Sequence, residues 1–172
     1  HGIILGGTLG ESSVLSQEEK ITLTRETVNY VNGRVPVVLN IAEGATQDAL
    51  FWAKKAEELG ASGLMILPPM RYAADAREVV AYFKAVANST KLPMMIYNNP
   101  VDYKTLVTLD MFAELADCHN IQAIKESTRD ISNVTRMINR FGDRFQLLCG
   151  VDTLALEELL MGAVGWVAGL VC

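Results

Sequence analysis

The 172-residue chain is poor in the features that would commit it to nucleic acid, a membrane or a disulfide framework. Lys and Arg number 15 against 20 Asp and Glu, a net charge of −5. No basic stripe is left to neutralise phosphates. No apolar run reaches the roughly 18 residues that a membrane span needs, and no signal peptide is expected. The three cysteines, Cys118, Cys149 and Cys172, are odd in number and form no CxxC. They read as free thiols in a reducing compartment. A cytoplasmic enzyme or binding domain is the class that remains. The chain also lacks an initiator Met. It opens in "HGIILGG" and closes in "GWVAGLVC", both inside apolar runs. Both ends are therefore expected to be cuts in a longer domain.

Half of the residues are hydrophobic and 20% are charged, enough for a sizeable core. Apolar runs alternate with amphipathic helical stretches. The runs are GIILGG (2–7), VPVVLNIA (35–42), GLMILPP (63–69), LPMMIYNN (92–99), IQAIKE (121–126), FQLLCG (145–150) and GWVAGLV (165–171). Their mid-points follow one another at intervals near the 30 residues or so of a strand plus a crossover helix. Each run is almost continuously apolar, as expected for strands covered on both faces of a parallel sheet. Between them, Ser16 with Glu19 reads as a capping box. Thr46, Asp75, Thr108 and Asp130 read as further caps, and Gly60 closes the helix over 46–60.

Seven βα-type repeats fit an open doubly wound sheet or a closed (β/α)8 TIM barrel. The stretch GGTLGE (6–11) is not the G-x-G-x-x-G that an open nucleotide-binding sheet carries after its first strand. The even spacing favours the barrel. A barrel takes about 250 residues. Residues 1–172 are thus expected to be one (β/α)8 domain, present as a fragment without about the first strand and the C-terminal helices.

Lys125 ends the apolar run IQAIKE, and a lysine is almost never buried without a partner or a task. Alternation along the strand puts Ile121, Ala123 and Lys125 on one face. Lys125 falls at the C-terminal end of its strand, the end at which barrels of this kind build their sites. Tyr97 ends the preceding strand on the same side as Met95, and neighbouring strands are about 4.8 Å apart. Lys125 and Tyr97 are expected to meet above the barrel core. A lysine stripped of water favours its neutral amine, which attacks ketones to form a Schiff base. The Tyr97 phenol would move the protons. A lysine paired with a carboxylate at the barrel rim is the competing reading. Glu126 falls on the opposite face, toward the helix layer. The loop GGTLGESS (6–13) has small residues that leave backbone N–H groups free to hold a carboxylate.

Other polar residues carry less. His119 and Cys118 lie between a helix and the following strand, at the opposite end of the barrel, and two adjacent ligands make no zinc pattern. Cys149 reads as a small core residue. Asp152 reads as the cap of the helix that follows it. Met70, Arg71 and Tyr72 lie on the loop after the run 63–69.

Four motifs, GTLGESSVLSQEEK (7–20), YNNP (97–100), IKES (124–127) and GVD (150–152), occur together and in order. In them the chain resembles the dihydrodipicolinate synthase / N-acetylneuraminate lyase family of class I Schiff-base aldolases. The resemblance runs along essentially the whole chain. It implies the (β/α)8 barrel. It assigns imine formation with pyruvate or another 2-oxo acid to Lys125 and proton transfer to Tyr97. Thr8 matches the hydroxyl residue that supports that tyrosine and helps to hold the carboxylate. Gly7, Leu9 and Gly10 belong to the carboxylate loop, where Leu9 replaces a second hydroxyl residue. Val167 matches an aliphatic residue beside the imine. Tyr72 and Asn99 are further candidates for substrate contact. The resemblance implies no metal or organic cofactor, and a homotetramer or homodimer for the full-length form.

Two departures bear on substrate. Synthases of lysine biosynthesis carry an arginine where Asp102 stands. They also supply a tyrosine from the loop where Arg71 and Tyr72 stand. The stretches NIAEGAT (40–46), LPPMRY (67–72) and YNNPVDYK (97–104) look closer to a branch that includes a 1-pyrroline-4-hydroxy-2-carboxylate deaminase, beside 2-keto-3-deoxy sugar acid aldolases and dehydratases. The expected function is therefore a Schiff-base lyase acting on a 2-oxo carboxylate or a cyclic imino acid. The alternatives are the 4-hydroxy-tetrahydrodipicolinate synthase of lysine biosynthesis, or a non-catalytic binding protein on the same fold.

Overall fold

The computed structural model describes residues 1–70 and 72–170. Arg71, Val171 and Cys172 lie outside them. Seven strands form one sheet: β1 (Ile3–Leu5), β2 (Val37–Ile41), β3 (Gly63–Ile66), β4 (Met94–Asn98), β5 (Ile121–Glu126), β6 (Gln146–Cys149) and β7 (Gly165–Trp166). The spatial order equals the chain order, and all six pairings are parallel. The helices that return the chain are α1 (Gln17–Val31), α2 (Thr46–Glu58), α3 (Ala76–Ser89), α4 (Pro100–Tyr103), α5 (Leu109–Leu115), α6 (Ser132–Phe141) and α7 (Ala155–Leu160).

The sheet is curled. In a flat sheet, β1 and β7 would stand about 29 Å apart, six inter-strand spacings. Instead, a Cβ built on Gly169, beyond β7, would lie 3.2 Å from Cδ1 of Leu9, beyond β1. The C-terminal loops of the first and seventh strands thus meet. The architecture is that of a (β/α)8 barrel over seven of its strands.

Burial alternates with the pleat. In β4, Met94, Ile96 and Asn98 are buried while Met95 and Tyr97 are half-buried. Met94 and Ile96 join Phe83, Phe112, Leu115 and Ile124 in the layer between sheet and helices. Removing such area from water is the main stabilising term, about 25 cal/mol per Å² of apolar surface.

The caps hold in part. Ser16 with Glu19 and Asp75 with Glu78 form full capping boxes, and Thr108 accepts from the Met111 N–H. Thr46 does not cap α2; Ala45 occupies the cap position, with no side-chain bond. Asp130 acts one residue outside the cap of α6, accepting from the Ser132 N–H at 3.1 Å. Among the described residues, the last run contributes only Gly165–Trp166 as strand, against the 165–171 expected, of which Val171 lies outside the described residues. Asp152 does not cap its helix. Its Oδ1 accepts from Trp166 Nε1 and from the Gly169 N–H, both at 2.9 Å, and so ties down the segment after β7.

Candidate active site

The ends of β1, β4, β5, β6 and β7 and their loops converge at the C-terminal mouth of the sheet. The β4–β5 register sets Tyr97 directly beside Lys125. The Lys125 amine lies 3.9 Å from the centre of the Tyr97 ring. Both side chains are half-buried. Lys125 thus faces the mouth together with Ala123, which pairs with Met95. Ile121 does not share that face. The register shifts between Met94 and Met95, so Ile121 pairs with Met94 and is fully buried in the helix-side core. A bulge adds one residue to one strand and inverts the parity before it.

Gly150, after β6, makes room for the lysine. A Cβ at this position would lie 2.8 Å from Cε and Cγ of Lys125, and 2.0 Å from Oγ of Ser127. Only a residue without a side chain fits beside that amine.

The Tyr97 hydroxyl accepts from Asn99 Nδ2 at 3.1 Å, which leaves its own proton free to be given. Asn99 is 4% exposed. It caps α4, accepting from the Asp102 N–H, and donates from the same Nδ2 to Asp102 Oδ2 at 2.7 Å. Thr8 departs from its expected partner. Its hydroxyl pairs with the hydroxyl of Tyr103 at 2.5 Å, not with Tyr97. The Tyr103 ring meets Tyr97 edge-on, with centroids 5.5 Å apart. Burial raises the Tyr103 phenol above its ordinary range. The Thr8 hydroxyl acts against the rise, and Tyr97 and Asp102 add to it. The Tyr103 proton is therefore retained at neutral pH.

Residues 6–10 form the opposite wall. Gly6 adopts a left-handed φ of +64°, and its carbonyl accepts from the buried Asn40 amide at 2.7 Å. Gly10 turns so tightly that a Cβ would lie 3.2 Å from the Gly7 nitrogen. The N–H groups of Thr8, Leu9 and Gly10 have no protein acceptor among the described residues. The Leu9 side chain is 68% exposed and points across to Gly169. Val167 is half-buried, its N–H held by the Cys149 carbonyl at 2.8 Å. Tyr72 stands apart: its hydroxyl donates to Glu78 Oε1 at 3.3 Å, at the start of α3.

Behind the lysine lies a buried acidic layer. Glu126 accepts from the Thr128 N–H and from Asn133 Nδ2, each at 2.7 Å. Burial raises its carboxyl, and the Thr128, Asn133 and Asn98 groups partly offset this. Glu158 of α7 is fully buried with neither oxygen bonded among the described residues. Its carboxyl is pushed up to about 7, mainly by burial; the nearby Cys149 thiol acts against this and Glu126 adds to it. Burial pushes the Cys149 thiol up to about 11. No group of three or more metal-ligating side chains occurs among the described residues.

Tyr103 and Gly150 stand against Tyr97 and Lys125, and the motifs alone did not single them out. The Asn99-Pro100 pair is a helix-start signal, and it carries Tyr103 back toward the mouth. The glycine of GVD shows no such signal in isolation.

A parallel curled sheet with a lysine and a tyrosine at its C-terminal mouth has the architecture of a (β/α)8 barrel. Comparison with known proteins agrees. The model of the dihydrodipicolinate synthetase family matches residues 1–170. The chain belongs to that family. A 4-hydroxy-tetrahydrodipicolinate synthase of Bacillus velezensis is 37% identical over 166 residues, 96% of this chain and 57% of the relative. The crystal structure of dihydrodipicolinate synthase from Aquifex aeolicus superposes with a TM-score of 0.93 at 32% identity, over 97% of this chain and 57% of that one. The Acinetobacter baumannii enzyme, chloride-inhibited and complexed with pyruvate, gives a TM-score of 0.95 at 28% identity, over 99% and 58%. This chain therefore spans little more than half the length of the relatives it matches. No helix among the described residues is long and apolar enough to cross a membrane.

Proposed function

We propose that the full-length protein is a Schiff-base lyase that binds pyruvate or a related 2-oxo acid as an imine on Lys125 and joins its methyl carbon to an aldehyde, the reaction type of a 4-hydroxy-tetrahydrodipicolinate synthase. The single observation behind this reading is the amine of Lys125 against the ring of Tyr97 at the open mouth of the sheet. The names of the relatives favour the synthase over the deaminase and sugar acid readings. That one relative was crystallised with pyruvate supports the choice of 2-oxo acid.

In this reading, the free N–H groups of Thr8, Leu9 and Gly10 hold the substrate carboxylate, as the loop Gly7–Gly10 is shaped to do. The neutral amine adds to the ketone carbon, and the ketone oxygen leaves as water. The iminium then draws electrons from the neighbouring C–H bond. Loss of that proton gives an enamine, whose carbon forms a C–C bond to the aldehyde carbon while the aldehyde oxygen takes a proton. Water finally releases the amine. Tyr97 carries protons in and out, with Thr8 and Tyr103 as the adjoining hydroxyls. Val167 borders the imine. Asn99 orients Tyr97. Assembly into dimers or tetramers belongs to the same proposal.

Borohydride reduction of the full-length protein with pyruvate tests this. A mass gain confined to Lys125 is expected. Absence of an adduct with pyruvate and with other 2-oxo acids would falsify imine chemistry.

A further inference from the structure

The loop proposed to hold the substrate carboxylate has an anchor that lies outside the four motifs. Asn40, on β2, is 6% exposed, and its Nδ2 donates to the Gly6 carbonyl at 2.7 Å. Asn40 pairs in register with Met65, Met65 with Met95, and Met95 with Ala123. Ala123 shares its face with Lys125, and Met95 shares its face with Tyr97. Asn40 therefore lies on the side of the sheet that carries the reacting pair. Gly6 follows β1 directly, with a left-handed φ of +64°. Among the described residues, two side-chain hydrogen bonds tie residues 6–10 to the rest of the fold: Asn40 on Gly6, and Thr8 with Tyr103.

Asn40 does little for the fold alone. A carbonyl only accepts, so the amide nitrogen faces Gly6 and the amide oxygen faces away. That oxygen is buried and takes no hydrogen bond among the described residues. Its neighbours in register, Met65, Met95 and Ala123, carry no side-chain donor. A buried acceptor left unpaired lowers stability, and an apolar side chain of similar shape removes that loss. What the amide does give is a fixed peptide. The Gly6 oxygen and the Gly7 N–H belong to one plane. Holding that oxygen sets the direction in which the chain leaves toward Thr8, Leu9 and Gly10, whose N–H groups have no protein acceptor among the described residues. Without it, two successive glycines would leave this stretch wide backbone freedom.

We propose that Asn40 is a positioning residue for the 2-oxo acid. Its hydrogen bond to Gly6 sets the N–H groups of Thr8, Leu9 and Gly10 in place before the carboxylate arrives, so that binding has no loop to order. It touches no reacting atom. The inference rests on the imine reading and adds to it the residue that holds the carboxylate wall.

The test uses the full-length protein, trapped with borohydride over a concentration series of pyruvate and, separately, of pyruvamide. The two share the ketone and the methyl group, and only pyruvate carries a carboxylate. Pyruvate trapping on the unsubstituted protein comes first; its failure removes the imine reading and this role with it. Given trapping, Asn40→Leu is expected to raise the pyruvate concentration for half-maximal trapping by about tenfold, and that for pyruvamide by no more than about threefold, since hydrogen bonds to a charged acceptor are the stronger ones. Its urea midpoint is expected to be no lower than that of the unsubstituted protein. Asn40→Ala is expected to show the same split between the two ketones, so the result does not depend on leucine fitting the lumen. An unchanged pyruvate response in both variants, or an equal loss with pyruvate and pyruvamide, refutes the positioning role while the imine stands.

Discussion

The amine of Lys125 rests 3.9 Å from the centre of the Tyr97 ring, and the two residues are direct partners in the β4–β5 register. A parallel register is slow to change, because a slip would turn every side chain of the strand to the other face. The pair is thus set by backbone hydrogen bonds, not by mobile loops. The ring face attracts the protonated amine, while the hydroxyl at the ring edge is oriented by Asn99. In the proposed imine chemistry, one residue both places the nucleophile and supplies the proton carrier.

Separate variants divide those roles. Lys125→Ala should give no trapped adduct with pyruvate, and Lys125→Arg none either, since a guanidinium stays protonated. Tyr97→Phe keeps the ring and loses the hydroxyl. It should still trap pyruvate, with a rate lower by about 10²- to 10⁴-fold. Rapid-quench borohydride trapping followed by mass spectrometry reads both. A Tyr97→Phe protein that traps at the unsubstituted rate would remove the proton carrier from the scheme.

Gly150→Ala probes the wall beside the lysine. Its Cβ would fall 2.8 Å from the Lys125 chain and 2.0 Å from the Ser127 hydroxyl, so the amine must move. Small displacements of a reacting group cost about 100-fold. Trapping should slow by that order while the far-ultraviolet circular dichroism spectrum is kept. An unaltered rate would mean that the lysine has more freedom than its surroundings show.

Much of this was legible in the sequence, and the failures have physical causes. Near-continuous apolar runs at regular intervals disclosed the seven strands, because strands covered on both faces leave little room for polar residues. Counting parity from Lys125 to Tyr97 disclosed their meeting. The same counting failed at Ile121, where the shift at Met94/Met95 inverts the faces. Thr46 and Asp152 carry the right chemistry for caps, yet the cap position falls at Ala45 in one case, and in the other the carboxylate is taken by Trp166 and Gly169. Tyr103 escaped notice because its place depends on how the short turn after β4 crosses the mouth, which no periodicity encodes.

The Thr8–Tyr103 hydrogen bond spans from the loop after β1 to the turn after β4. Thr8→Val keeps the shape and removes the partner of a phenol that burial keeps protonated. Turnover should fall at least about tenfold if that phenol relays protons, with stability lower by only about 1 kcal/mol. Steady-state kinetics beside urea unfolding separate the two. Equal losses in Thr8→Val and in the double variant with Tyr103→Phe would confirm that the hydroxyls act as one unit; additive losses would argue for separate roles.

Glu158 makes stability depend on pH in an unusual direction. Its carboxyl titrates near 7 in the folded protein, against about 4.3 for an unfolded glutamate. The unfolded chain therefore releases this proton first as pH rises. Below about pH 4 both states hold the proton and the contribution is fully present; between about pH 4 and 7 it is progressively lost. The loss is on the order of 3–4 kcal/mol. Other carboxylates, such as Glu57 and Asp75, are lowered by their hydrogen bonds and act in the opposite sense. They cancel when the unsubstituted protein is compared with Glu158→Gln. The difference in unfolding free energy between the two, followed by urea denaturation from pH 4 to 8, should move steadily in favour of the glutamine protein up to pH 7 and then level off. A flat difference would show that Glu158 is ionised within the fold, with Glu126 and Cys149 as its neighbours in the buried layer.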